Sequence, residues 1–363
     1  MIDTQLLKNE EKTVYELRAL YSKYGYLPYR MSKFEEYELY IRNKEFMVSD
    51  RVIAFNDTNG KLLALKPDVT LSIIKSGEDI KGQKQKVYYN ENVYRVSETT
   101  HRFKEIMQAG LECIGDIDLY DVFEVISLAQ KSLMQISGDY VLEISNLDIV
   151  SKVLGAISGD KAFAEEAIKY ISEKNTHDLE KLCEKHQIGK ENFERIKLLI
   201  TSYGDRSRVI ESLKEICVGA ELEEMESLSK MLDTLPQNER IIFDFSVMNN
   251  LSYYNGFTFR GFVSGISGGV LSGGCYGKMM QKMNRKTGAV GFALYLDMLD
   301  KLEQDANEYD VEYVVLYDDT VESISVAERV NSLIAQGATV SAQKSLPEKL
   351  RYKELVDMTK EAQ

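Results

Sequence analysis

Several shortages narrow what this chain of 363 residues can be. Its four cysteines, Cys113, Cys183, Cys217 and Cys275, lie far apart with no CxxC pair, which gives no disulfide framework and argues against a structural zinc site. Of its three histidines, His101, His177 and His186, none has a second histidine at metal-ligand spacing; the last two are expected to face solvent. No run approaches the ~20 apolar residues of a membrane-spanning helix. The N-terminal stretch has charges spread through it and no apolar signal core, so a cytoplasmic protein is expected, with no membrane partner. Basic residues are short as well: 45 against 58 acidic ones leave a net charge of −13, a mean field that repels polyanions. No nucleic-acid partner is expected on that balance.

With 44% hydrophobic residues the chain can bury a sizeable core, and its length exceeds one typical domain. Two folded units are expected: residues 1–303, carrying a helical insertion at about 147–236, and a small, incomplete α/β unit at 308–363 beyond a compositional break at 304–308. Residues 3–24 show a helical apolar stripe ended by Gly25. Segments 50–55 and 61–65 read as a hairpin, and Asp68 begins a helix to Ser76. Residues 87–96 and 106–113 form a second strand pair, 121–137 an amphipathic helix and 140–144 a strand. After the helices of 147–236, where no strand is read, strands are expected at 241–246, 252–261 and 268–271, and 289–303 reads as a strand end running into a buried helix. The last unit reads as a strand at 311–317, a helix at 323–336, a strand at 339–343 and a final helix near 347–361. This mixture is the α+β class.

The segment from Tyr94 to Gly115, YRVSETTHRFKEIMQAGLECIG, places Arg95, Arg102, Gln108 and Glu112 at spacings suited to a polar pocket on a sheet. The carboxylates Asp68 and Glu112, with Gln108, would suit an ammonium group and a neighbouring imidazole, because they offer charge-assisted acceptors and an amide. Tyr253 and Tyr254 are expected on opposite faces of a strand, with Gly256 in the turn after them, so that one hydroxyl enters the pocket. Gly273, Gly274 and Gly277, preceded by Gly265, Gly268 and Gly269, remove side chains where a sheet must admit a ligand or another backbone. His101 sits in the loop before Arg102 and is not expected to touch a ligand.

Together these segments resemble the class II aminoacyl-tRNA synthetases and, within them, the histidyl family, over about residues 3–303, with a weaker echo of the anticodon-binding domain beyond. LALKPDVT at 63–70 looks like the family's LxLRPExT, residues 93–115 like its second class motif, LSYYNGFTF at 251–259 like LDYYTGTVF, and SGGCYG at 272–277 like GGRYDG. The resemblance implies a class II antiparallel sheet flanked by helices. It also implies a histidine-binding set of Asp68, Thr70, Arg95, Gln108, Glu112, Tyr253 and Tyr254, Arg95 standing at the phosphate-contacting arginine.

Departures from the pattern decide the function. An arginine that works on the carboxylate and α-phosphate is here Asn249, and the ATP arginine that ends the third motif is here Met298, preceded by Asp297. Cys275 and Gly277 replace an arginine and an aspartate, the first-motif proline is Ser32, and the loop between Arg95 and Arg102 is one residue short. Adenylation gathers negative charge on phosphorus, and removing one preorganised donor costs roughly 3–4 kcal/mol. The pattern of retained recognition and lost cations resembles the regulatory-subunit family of ATP phosphoribosyltransferase, which implies no catalytic residue and no cofactor. The implied partners are the short-form catalytic subunit in a hetero-octamer, a second copy in a dimer, and L-histidine as effector. Three alternatives stay open: an active histidyl-tRNA synthetase, a synthetase-like sensor or partner-modulating protein, and a phosphoribosyltransferase built on VVLYDDTVES at 314–323. Against the last, no Thr-Gly phosphate turn follows, and Asp318 and Asp319 read as a helix-entry turn.

Overall fold

The computed structural model describes residues 9–47, 51–77, 82–96, 100–248, 253–302, 309–346 and 348–360. Two compact units divide the chain, Met1–Leu302 and Glu303–Gln363. No described helix is long and apolar enough to cross a membrane, and no described group of three or more His, Cys, Asp or Glu residues is arranged to hold a metal.

The first unit opens with α1 (Asn9–Lys23), whose Val14, Leu17 and Tyr21 are buried one helical turn apart. After β1 (Leu27–Pro28), a small antiparallel sheet is made by β2 (Phe34–Glu36), β3 (Ala54–Asn56) and β4 (Leu62–Leu65), in the order β2-β4-β3, with α2 (Tyr37–Arg42) beside it. The expected hairpin is therefore present, its Asp57 carboxylate accepting the N–H groups of Asn59 and Lys61 to close the turn. A short helix α3 (Thr70–Ser76) leads to the long antiparallel pair β5 (Gln85–Val96) and β6 (Phe103–Gly115).

Helix α4 (Leu119–Ile136) begins at a reciprocal cap in which Asp118 and Asp121 each accept the other's backbone N–H. Then come β7 (Tyr140–Asn146) and six helices, α5 (Leu147–Ile157), α6 (Lys161–Ser172), α7 (Thr176–Lys185), α8 (Lys190–Thr201), α9 (Arg206–Leu213) and α10 (Ala220–Leu232). A two-residue strand expected nowhere in this region, β8 (Tyr203–Gly204), pairs with β9 (Ile241–Asp244). The sheet is completed by β10 (Asn255–Val263), β11 (Leu271–Cys275) and β12 (Gly288–Tyr295), with α11 (Gly277–Lys282) between the last two. Its order is β1-β5-β6-β12-β11-β10-β7-β9-β8. Antiparallel pairing dominates, with parallel pairs at β1/β5 and β7/β9. One apolar cluster runs from Val14 through the sheet and α4 into Phe163, Ile196 and Leu228, so the helices share the sheet's core.

Of two readings around the glycines, one changes and one holds. The third late strand is 271–275 and not 268–271, because Gly268 holds φ +101° in the turn before it. Gly273 lies mid-strand against other protein atoms: a Cβ there would come within 2.5 Å of the Gly291 carbonyl and 2.6 Å of the Phe259 ring.

The second unit is a parallel sheet, β14-β13-β15, of β13 (Val311–Leu316), β14 (Val340–Gln343) and β15 (Tyr352–Asp357), with α12 (Ser323–Ala335). The final helix expected near 347–361 is absent among the described residues: 352–357 is a strand and 358–360 a single 3-10 turn. Lys353 and Glu354 favour a helix on propensity, but pairing with β13 and the seating of Val356 against the core of Val315, Val326 and Leu333 outweigh it. Asp318 accepts the Thr320 N–H at 2.8 Å in the turn before α12, and Asp319 pairs with Lys344 just after β14.

Candidate functional site

On β6, alternate residues face one side of the sheet, so Gln108, Gly110 and Glu112 form a strip. That strip floors a cavity of about 240 Å³. All seven of the residues expected to bind the ligand line it: Asp68 and Thr70 at the start of α3, Arg95 on β5, Gln108 and Glu112 on β6, and Tyr253 and Tyr254 ahead of β10. The tyrosines do not point to opposite faces. They precede the strand rather than sit within it, their ring centroids are 4.5 Å apart, and both enter the cavity.

Glu112 is 2% exposed and has no cation within salt-bridge distance among the described residues. Its two oxygens accept hydroxyl donors, Thr70 at 2.7 Å and Tyr276 at 2.5 Å. Burial pushes its carboxyl up to about 8, against the two hydroxyl bonds, and the nearby Asp68 charge adds to the rise. Asp68 is also raised by burial, opposed by the Arg95 charge and by backbone N–H groups. Its Oδ1 accepts the Leu71 N–H at 2.9 Å while Oδ2 lies 3.8 Å from the Arg95 guanidinium. Arg95, the only cation lining the cavity among the described residues, also donates Nε–H to the Pro67 carbonyl at 2.7 Å. Gln108 is 2% exposed, and its amide nitrogen has no partner. A buried amide without an acceptor costs about 1–3 kcal/mol, which a ligand acceptor would recover.

Glycines make room for these groups. A Cβ on Gly291, opposite Glu112 on β12, would fall 1.7 Å from the Glu112 carboxylate, and one on Gly110 would fall 2.5 Å from the Tyr89 hydroxyl. Tyr89, Ser272, Tyr276, Gly291 and Tyr295 line the cavity without having been anticipated. For Tyr89 a signal existed: it pairs directly with Gly110 across the β5/β6 ladder. Tyr89, Tyr253, Tyr254 and Tyr276 all have hydroxyls held well above the ordinary tyrosine value by burial, so they remain neutral donors.

Other singled-out residues lie elsewhere. Arg102 and His101 are exposed and do not line the cavity, His101 holding φ 53°. His177 is exposed, whereas His186 is half-buried on the Phe163 ring at 5.3 Å, not solvent-facing as expected. Met298 lies in a 3-10 segment, Leu296–Leu302, and packs against the main apolar core. Its neighbour Asp297 pairs with Lys104 of β6 at 2.8 Å. Asn249 is outside the described residues. Cys275 and Gly277 line a second cavity of about 300 Å³, with Asp148 and Glu224. All four cysteines are free thiols.

The arrangement suits a small zwitterion: acceptors at Asp68 and Glu112 for cationic groups, an unfilled amide donor at Gln108, and aromatic walls. A polyphosphate would meet two carboxylates and one guanidinium that is already engaged.

Comparison with known proteins points the same way. An ATP phosphoribosyltransferase regulatory subunit from Oceanobacillus iheyensis is 26% identical over 291 residues, 78% of this chain and 71% of that relative. A crystal structure from Bacillus halodurans, described as an ATP phosphoribosyltransferase regulatory subunit/histidyl-tRNA synthetase, matches 98% of this chain and 96% of its own, with TM-score 0.76 and 21% identity. A chain of an ATP phosphoribosyl transferase complex from Thermotoga maritima matches 79% of this chain and 97% of its own, with TM-score 0.64 and 22% identity. These likenesses establish a class II synthetase-like fold. The family model for histidyl-tRNA synthetase matches residues 3–299, and the chain belongs to that family.

Proposed function

We propose that this chain is the non-catalytic regulatory subunit of an ATP phosphoribosyltransferase, the enzyme of the first step of histidine biosynthesis. It assembles with a short catalytic subunit, four chains of each, which it activates, and it carries histidine feedback from its own cavity. The observation that supports this reading is a cavity rich in candidate recognition groups, whose only lining cation among the described residues, Arg95, is already engaged by Asp68 and the Pro67 carbonyl. Asp68, Thr70, Gln108, Glu112, Tyr253 and Tyr254 converge there, while Met298, which the sequence resemblance aligns with the family's ATP arginine, packs against the apolar core. Asp68 and Thr70 would take the ligand's ammonium group, Gln108 an acceptor, and Glu112 with the tyrosines its ring. The curated relatives support the partner, and an effector bound here acts only through different affinity for two states of the assembly.

Self-association as a dimer is supported by the β2-β4-β3 sheet, which exposes Phe34, Phe55 and Leu62, the two rings edge to face at 5.6 Å. Two measurements test the proposal. Co-expressed with a short phosphoribosyltransferase chain, the protein should co-purify with it. Histidine-dependent ATP–pyrophosphate exchange should stay at background, and exchange at a synthetase's rate would overturn the proposal.

A further inference from the structure

The cavity contains a buried carboxyl group with no cation within salt-bridge distance among the described residues. Glu112 projects from β6, and its oxygens are met by the hydroxyls of Thr70 on α3 and Tyr276 beyond β11. The other titratable groups around it are Asp68 ahead of α3, Tyr89 on β5, Tyr253 and Tyr254 ahead of β10, and Tyr295 at the end of β12. The backbone of Gly291 on β12 also approaches Glu112 closely. Arg95 spends its charge on Asp68 and the Pro67 carbonyl. Buried with no described cation in reach, the Glu112 carboxyl is pushed up to about 8, which favours its protonated form at neutral pH.

The hydrogen bonds serve the other state. Two hydroxyl donors suit a carboxylate, which accepts both; a carboxylic acid must turn one of them round to accept. The site thus stores a proton where an anion is already provided for. We infer that Glu112 gives this proton to the ring of the bound ligand, so that the cavity holds its occupant as an imidazolium against an ionised carboxylate and selects for a ring basic enough to accept the proton. The inference rests on the reading of this cavity as a histidine site. In the step the Glu112 O–H bond breaks and an N–H bond forms on the ring nitrogen. Between the free ring's value of ~6.5 and about 8 for Glu112, no net proton is exchanged with solvent. Below that window binding releases a proton, and above it binding takes one up.

The test uses the full chain, alone and in complex with the short catalytic subunit, and histidine labelled with nitrogen-15 in its ring. At pH 7.5 the bound ring should show the nitrogen shifts of an imidazolium while free histidine shows those of the neutral ring. Any histidine that still binds Glu112→Gln should do so with a neutral ring. Thiazolylalanine, similar in shape but with a ring that stays unprotonated, should bind roughly 100-fold more weakly or worse. A neutral ring in the wild-type complex, or equal affinity for the two ligands, overturns the inference while leaving the histidine site standing. Absence of histidine binding by calorimetry, alone and in the complex, overturns the site and the inference together.

Discussion

Two buried polar clusters in the first unit make opposite use of charge. In the helical region, Arg206 of α9 is 6% exposed and points its guanidinium at the Asp233 carboxylate, the Asn238 carbonyl and the Ile241 carbonyl, all within 2.6 Å. That cluster ties α9 to the end of α10 and the start of β9 and answers the two terminal nitrogens of its cation from within the chain, leaving Nε without a partner. The cavity does the reverse: among the described residues no cation reaches Glu112, and the Gln108 amide nitrogen has no acceptor. A buried charge that the fold compensates is structural, whereas polar groups left short of partners around one cavity suit the binding of another molecule.

The contrast can be broken by mutation, and the largest effect is expected at the cavity's tightest point. Gly291→Ala drives a methyl into the Glu112 carboxylate and to 2.5 Å from the Leu111 carbonyl. It should cost ~3 kcal/mol or more in urea unfolding and abolish histidine binding, because overpacking at backbone cannot relax through a side chain. Arg206→Ala removes the internal cation and leaves buried carbonyls unmet, a loss of about 3 kcal/mol in the same measurement. Here the histidine affinity of the folded fraction should be unchanged, and a large loss of affinity would mean that the two clusters are coupled.

Glu112→Gln should separate stability from binding. The Glu112 carboxyl rises from ~4.3 when unfolded to about 8 in the fold, so the folded state binds more protons and stability falls as pH rises between those values. Glutamine removes that loss. The variant should melt roughly 2–5 °C above wild type at pH 8 and show no advantage near pH 4, by calorimetry at the two pH values.

Much of the site was legible because period-two spacing on β6 places Gln108 and Glu112 on one face, and β5 and β6 read clearly as a pair. The departures at Met298 and Cys275 were equally plain. What escaped depended on three-dimensional reach. Tyr276 arrives from the end of β11, 164 positions beyond Glu112, and no local pattern announces that bond. The tyrosine pair was misplaced because its strand begins only at Asn255, so strand alternation does not govern Tyr253 and Tyr254. At the far end of the chain, the stretch of β15 was read as part of a final helix, and pairing with the parallel partner β13 makes it a strand.

The central claim is tested most directly by reconstitution with a short ATP phosphoribosyltransferase catalytic subunit. Phosphoribosyl transfer to ATP should rise steeply as this chain is added, saturate at equal numbers of the two chains, and be suppressed by histidine in the wild-type complex but not with Glu112→Gln. A catalytic subunit equally active without this chain, or tRNA charging with histidine by this chain alone, would contradict the account.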